Sequence, residues 1–194
     1  MLDELLTVKN ISKSFGGIRA VSDFSFSVTR NSITALIGPN GAGKTTVFNL
    51  ISRIYEADSG AFYFNDKNIT NYKSFELAKL GISRTFQNVV LFPNMSLIEN
   101  VMLGGHISGS SSIAGYLFSF FSSGREDKKL RAAAEENLAL VGLKDKIGAE
   151  ISGLAFGQLR LAEIARSLMA APDLLMLDEP AAGLNPKETE ELAD

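Results

Sequence analysis

Apolar and polar positions alternate along residues 21–28 (VSDFSFSV), the spacing of a strand with one face covered and one face wet, as in an antiparallel pair. Residues 33–37 (ITALI) are instead apolar throughout and predict a strand buried on both faces at the centre of a sheet. Shorter apolar runs at 5–8, 62–64, 82–86 and 174–177 predict further strands, with a turn at 56–60 (EADSG). Helical spacing of apolar residues appears at 45–53, at 75–80 before Gly81, at 126–141 and at 158–170. A further helix is predicted over 96–103, where Ser96 and Glu99 stand at capping-box spacing. Pro186 stands where a last helix could begin.

Strand-like and helix-like segments mix through residue 87 and again from residue 159, whereas residues 88–158 are mostly helical. The chain therefore reads as an α/β core at 1–87 and 159–194, interrupted by a helical insertion at 88–158, without internal repeats. Within the insertion, GGHISGSSSIAGYLFSFFSSG is biased and loop-like. Its apolar knot at 113–121 is too short to span a bilayer; it packs inside the insertion or touches an apolar partner. REDKKLRAAAEENL reads as a solvated helix face, and KETEEL as acidic residues matched to a helix start.

Composition changes this picture little. In 194 residues with 45% hydrophobic content there is enough apolar material for one sizeable core. A net charge of −3 gives no reason to expect a nucleic-acid partner. With no cysteine, disulfides and thiolate metal sites are excluded, which is compatible with a reducing compartment. The start, MLDELLTVKN, does not read as a signal peptide, and no run approaches the length of a membrane span, so a soluble protein is expected.

The chemistry is concentrated in three places. GPNGAGKT fits the phosphate-loop pattern, in the required setting of a strand before and a helix after. Gly38, Gly41 and Gly43 let the backbone curl so that successive N–H groups face an anion, and the following helix adds its positive end. Lys44 brings a mobile charge for the β- and γ-phosphates, and Thr45 a hydroxyl for Mg²⁺. The second place is Asp178-Glu179, directly after the apolar run LLML. There Asp178 could hold Mg²⁺ and Glu179 could polarise a water; alternatively both simply cap the next element. The third is a second glycine-bearing turn opening onto a helix, Leu154-Ala155-Phe156-Gly157-Gln158.

The order of these pieces, GPNGAGKTT, RTFQ, LAFGQ and LMLDEPAAGLNP, resembles the ATP-binding subunits of ABC transporters over nearly the whole chain, and within them most closely the branched-chain amino acid importer branch. The resemblance implies a P-loop NTPase core with an antiparallel β subdomain and a helical subdomain. It implies ATP and Mg²⁺ as ligands and ATP hydrolysis driving import of a solute through separate membrane permease subunits, at the inner face of the cell membrane. Two such subunits close head to tail over the nucleotide, as a homodimer or a heterodimer, which explains why one chain carries two phosphate turns: it holds half of each of two sites.

Carried over by position, the loop comprises Gly38, Pro39, Asn40, Gly41, Ala42, Gly43, Lys44, Thr45 and Thr46, and the turn offered to the other subunit Leu154, Ala155, Phe156, Gly157 and Gln158. Phe15 matches the aromatic residue that stacks on adenine; read by itself it is a strand-end core residue. Gln87 matches the glutamine that reaches Mg²⁺ and the attacking water and lines the groove where the permease docks. Asp178 matches the metal carboxylate, Glu179 the catalytic one, and Asn185 lies in the loop that crosses to the second subunit. Arg84, beside Gln87, could shape that segment, although no motif requires it.

Two departures stand out. Ala155-Phe156 replaces the commoner Ser-Gly, losing a hydroxyl whose hydrogen bond to a charged group would be worth about 1.5–3 kcal/mol; the importer branch shares this feature. The family also has a histidine beyond a further strand after the catalytic carboxylate. This sequence ends at Asp194 and its single histidine, His106, lies upstream, so a partial chain is expected. If it is whole, nucleotide binding with poor hydrolysis is expected. A non-transport ABC ATPase, or a nucleotide-binding chain that does not hydrolyse, are the alternative readings.

Overall fold

The computed structural model describes residues 3–85, 91–108, 126–186 and 189–190. Contacts divide the chain into two units, Met1–Leu80 and Gly81–Asp194. The first holds strands β1 (Glu4–Phe15), β2 (Ile18–Thr29), β3 (Ser59–Phe64) and β4 (Lys67–Asn68), with helices α1 (Lys44–Ile51) and α2 (Ser74–Lys79). The second holds β5 (Ile82–Arg84), α3 (Leu97–Met102), α4 (Glu126–Leu140), α5 (Phe156–Leu168) and β6 (Leu174–Met176).

In the first unit an antiparallel sheet runs in the order β2-β1-β3-β4. Gly16 and Gly17, both at positive φ, connect Phe15 to its partner Ile18. Such a two-residue glycine turn matches the twist of the strands and lets the hairpin zip far beyond the short runs that apolarity predicts. Midway, Asn10 and Asp23 both take positive φ and share a 2.9 Å side-chain hydrogen bond, so the ladder shifts register there. Leu6, Val8 and Ile11 of β1 and Phe62 and Phe64 of β3 are buried, as are Val47, Leu50 and Ile51 of α1. The alternation read at 21–28 is realised as the half-exposed antiparallel strand β2, with Val21 and Val28 buried.

Residues 33–37 depart from expectation. They join neither sheet, and Ile33 and Ile37 are exposed. An apolar run becomes a buried strand only where neighbouring strands accept and donate along both of its edges. Among the described residues no strand lies beside this run. The expected turn at 56–60 is likewise shorter, because Ser59 and Gly60 already belong to β3, with Ser59 paired to Ser12 of β1.

In the second unit β5 and β6 pair in parallel, Ile82 with Leu174 and Arg84 with Met176. Helices α3, α4 and α5 pack around Leu97, Val101, Ala134, Leu138, Ala162 and Ala165, all fully buried. The capping box forms as read: the Ser96 N–H donates to Glu99 Oε2 at 2.7 Å. The Ser96 hydroxyl and N–H together hold the Glu99 carboxyl below its ordinary range. Asn100 is buried and ties down residues 92–96: its amide donates to the carbonyls of Phe92 and Ser96 while its oxygen accepts from the Phe92 N–H at 2.7 Å. On α4 the exposed Arg131–Glu135 pair lies on a solvated face. Pro186 is helical, with the Thr189 N–H donating to the Asn185 carbonyl. The apolar knot at 113–121 lies outside the described residues.

Helix packing in this unit is close enough to be tested. A β-carbon at Gly104 would fall 1.9 Å from the Arg166 carbonyl oxygen and 3.0 Å from the Met169 β-carbon. Because the nearest atom is helix backbone, Gly104→Ala should cost about 1–3 kcal/mol or more by overpacking. Gly148→Ala, with open space around it, should fall well below that. Chemical denaturation of the two variants against wild type measures the difference.

Candidate functional site

The phosphate loop is built as its glycines require. Gly41 and Gly43 lie at φ +82° and +87°, and the Ala42 N–H donates to the Pro39 carbonyl. Gly43 caps α1 without a side-chain hydrogen bond, and the first turn of that helix carries no acidic residue. Its first N–H groups and its positive end are thus left for an anion to neutralise. The Lys44 ammonium folds back onto the loop, donating to the carbonyls of Gly38 at 2.7 Å and Pro39 at 2.9 Å. The loop's own oxygens hold this cation above the backbone. Thr45 is exposed beside it and Thr46 half-buried. A cleft of about 250 Å³ next to the loop is lined by Ala20, Val21, Phe24, Leu36, Ala42 and Lys44 among others.

Phe15, the expected adenine platform, is 41% exposed at the end of β1. Its ring meets Tyr55 edge-on at 5.2 Å between centroids, and the Lys13 ammonium lies 5.5 Å from its centre. An exposed ring supported from one side can still receive a flat apolar ligand.

The carboxylates sit in the second unit, on the turn that follows β6. Asp178 is 5% exposed, and its Oδ2 accepts a hydrogen bond from Arg84 Nη2 at 2.8 Å. Glu179 is exposed and takes a left-handed backbone, φ +48°. For a residue with a β-carbon this conformation costs roughly 1–2 kcal/mol. The compensation comes from Arg160 on α5: its Nη2 donates to the Asp178 carbonyl at 3.0 Å and to the Glu179 carbonyl at 3.1 Å. Each such bond to a charged donor is worth about 1.5–3 kcal/mol. Its Nη1 meets Glu163 Oε2 at 3.1 Å, and both side chains are 1% exposed.

The sequence reading missed Arg160 and Glu163 and left Arg84 without a partner. A signal existed: in GQLRLAEI, residues 160 and 163 fall on the same helix stripe as Gly157 and Ile164, which are buried. Charges on a buried stripe need partners.

The second glycine turn leads into α5. Ala155 and Phe156 are exposed, and Gly157 is buried. The Gln158 side chain reaches back to accept from the Ala155 N–H at 3.1 Å, half of a capping box. The other half is missing because alanine has no hydroxyl. The Phe156 ring leans on the loop after Glu179, where a β-carbon at Gly183 would lie 2.9 Å from it. Gln87 lies outside the described residues.

As a magnesium site, the residues fit. Mg²⁺ favours hard oxygens and is often held by one carboxylate together with substrate phosphates and water. Thr45 in the first unit and Asp178 in the second are each donors of that kind; among the described residues no group of three or more His, Cys, Asp or Glu could hold a metal.

Comparison with known proteins identifies the family. The family described as ABC transporter matches residues 21–182. The high-affinity branched-chain amino acid transport ATP-binding protein LivG of Escherichia coli (strain K12) is 39% identical over 192 residues, 99% of this chain and 75% of that protein. The crystal structure of the ADP conformation of MJ1267, an ATP-binding cassette of an ABC transporter, superposes with a TM-score of 0.80 at 34% identity, over 97% of this chain and 74% of that one. The dimeric structure of MJ0796, a bacterial ABC transporter cassette, gives a TM-score of 0.78 at 25% identity, over 96% and 79%.

The loop geometry separates two of its glycines. A β-carbon at Gly43 would lie 2.4 Å from the Ala20 carbonyl oxygen, whereas Gly41 faces open space. Gly41→Ala should cost only the left-handed strain of about 1–2 kcal/mol. Gly43→Ala should cost at least 1 kcal/mol more through that overlap, read from denaturation midpoints of the two variants.

Proposed function

The chain belongs to the ABC transporter family, and on that premise we propose that it is the ATP-binding subunit of an importer, coupling ATP hydrolysis to uptake of branched-chain amino acids through separate permease subunits. The likeness to LivG along nearly the whole chain carries this reading. It favours an importer subunit over a non-transport ATPase of the same family. The fold is the α/β P-loop ATPase fold of such cassettes, with an antiparallel sheet in its first unit.

Roles follow from the chemistry of each group. Lys44 and the N–H groups of the loop bind the phosphates, Thr45 and Asp178 hold Mg²⁺, and Gln87 joins them. When bound, the ion supplies charge neutralisation at the phosphate oxygens. Glu179 orients a water and takes its proton at a carboxylate oxygen. Phe15 stacks on the base. Leu154, Ala155, Phe156, Gly157 and Gln158 present the α5 N-terminus to a nucleotide held by a second ATPase subunit. The exposure of Ala155 and Phe156 and the MJ0796 dimer support that role. We retain the division into a nucleotide-binding core at 1–87 and 159–194 and a helical subdomain at 88–158. No described helix is long and apolar enough to cross a membrane, which suits a subunit peripheral to the inner face.

A binding chain that does not hydrolyse is the second reading, and one pair of measurements separates the two. Equilibrium binding of a fluorescent ATP analogue and phosphate release are followed with Mg²⁺ present. Wild type should bind and turn over. Glu179→Gln should keep its affinity and lose roughly 10²–10⁴-fold in turnover, the usual contribution of a general base. Lys44→Ala should lose binding. Binding without turnover in wild type selects the second reading; no binding at all overturns both.

A further inference from the structure

We propose that Arg160 is a positioning residue for hydrolysis that acts through the backbone of Glu179. Its guanidinium holds two successive carbonyls and so keeps Glu179 in the left-handed conformation from which its carboxylate works. The proposal rests on the reading of Glu179 as the water-activating carboxylate.

The geometry carries the argument. An extended backbone sends successive carbonyls to opposite sides. One nitrogen can bind both only if the residue between them turns the second back toward the first. Arg160 Nη2 lies 3.0 Å from the Asp178 oxygen and 3.1 Å from the Glu179 oxygen, and Glu179 is the residue at φ +48°. Conformations of this kind persist only where the surroundings over-determine them. Here the Ala182 N–H also donates to the Glu179 carbonyl at 3.0 Å, and Arg84 grips the Asp178 side chain at 2.8 Å. The planar fork of an arginine suits the task, since one nitrogen faces Glu163 while the other spans the carbonyls.

Stability alone does not explain the pair. Arg160 and Glu163 are each 1% exposed, and a buried ion pair is commonly matched or bettered by apolar residues of similar volume. What apolar residues could not supply is the N–H that turns the two carbonyls. The ion pair therefore serves the turn, with Glu163 balancing the charge that the carbonyls need.

The test uses Arg160→Met together with Glu163→Met, so that neither member of the pair is left buried without the other; Arg166, 3.9 Å from Glu163, keeps 21% exposure to water. This double variant should keep a single cooperative melt, bind a fluorescent ATP analogue within twofold of wild type, and lose about 10²-fold in kcat, the scale of an ångström-sized misplacement. In a Glu179→Gln background the same pair should change the residual turnover by less than threefold, because the effect runs through Glu179. An unchanged kcat overturns the proposal, as does a loss of nucleotide affinity that matches the loss of rate.

Denaturation supplies a second arm that needs no turnover. With Arg160 present, Glu179→Gly should melt above Glu179→Ala, because glycine accepts the left-handed backbone. With Met at 160 and 163 that preference should disappear. A glycine preference that is absent from the start, or that survives the loss of Arg160, overturns the proposal. A wild-type chain without Glu179-dependent turnover sinks the reading of Glu179 itself, and the melting comparison then decides alone whether Arg160 holds the turn.

Discussion

A carboxylate at the end of a buried strand has to be met by positive charge, because desolvation without a partner costs several kcal/mol for an ion. Asp178 is in that position, 5% exposed, with Arg84 on its side chain. The next peptide is held differently. Arg160 takes the carbonyls of Asp178 and Glu179 and leaves the Glu179 side chain exposed. Two arginines on two different elements, β5 and α5, thus converge on one turn, one through a side chain and one through the backbone. The division lets one acid stay fixed and buried while its neighbour keeps access to water. A metal ligand needs the first condition and a water-activating group needs the second.

The phosphate loop solves the opposite problem. It must present unpaired donors without collapsing onto itself. Gly41 and Gly43 stand at positive φ, and the cap of α1 is left without a side-chain acceptor or an acidic first turn. Lys44, tied to two loop carbonyls, spends its charge on weak acceptors that a phosphate can outcompete. Stability is forgone at both places: orphan donors on α1, a left-handed Glu179 on the second turn. Local strain and unmet donors gather where a ligand is meant to act.

Much of this was legible in the sequence, for identifiable reasons. Glycine spacing with a lysine and a threonine at fixed offsets is a local signal, so the positive-φ glycines of GPNGAGKT and the helix after them were legible, although the strand expected before them at 33–37 does not form. The Ser96–Glu99 box is equally local and forms as expected. Residues 33–37 did not read correctly, because apolarity reports a preference for burial and says nothing of which strand supplies the ladder. The hairpin of β1 and β2 outran the apolar runs because Gly16-Gly17 lets polar positions zip as well. Arg84 and Arg160 were not legible as partners of the Asp178 turn: they meet it across separations of 94 and 18 residues, a pairing no local pattern encodes.

Phe156 ties these observations together. A serine-glycine pair at 155–156 would offer a hydroxyl and a bare backbone; this chain offers a methyl and a ring. The hydroxyl's share of the cap falls to Gln158, which holds the Ala155 N–H. The ring lies against Gly183, in the loop that leaves Glu179. A glycine at 183 is required twice, by φ +80° and by the ring that fills the space of its β-carbon. The turn before α5 and the turn after β6 are therefore joined at two points: Phe156 on the loop beyond Glu179, and Arg160 one helical turn along on the carbonyls of Asp178 and Glu179 themselves. Packed interiors transmit such displacements with little loss. On the proposed reading, a ligand that moves the N-terminus of α5 would therefore also move the backbone that carries Glu179, both lying in the second unit.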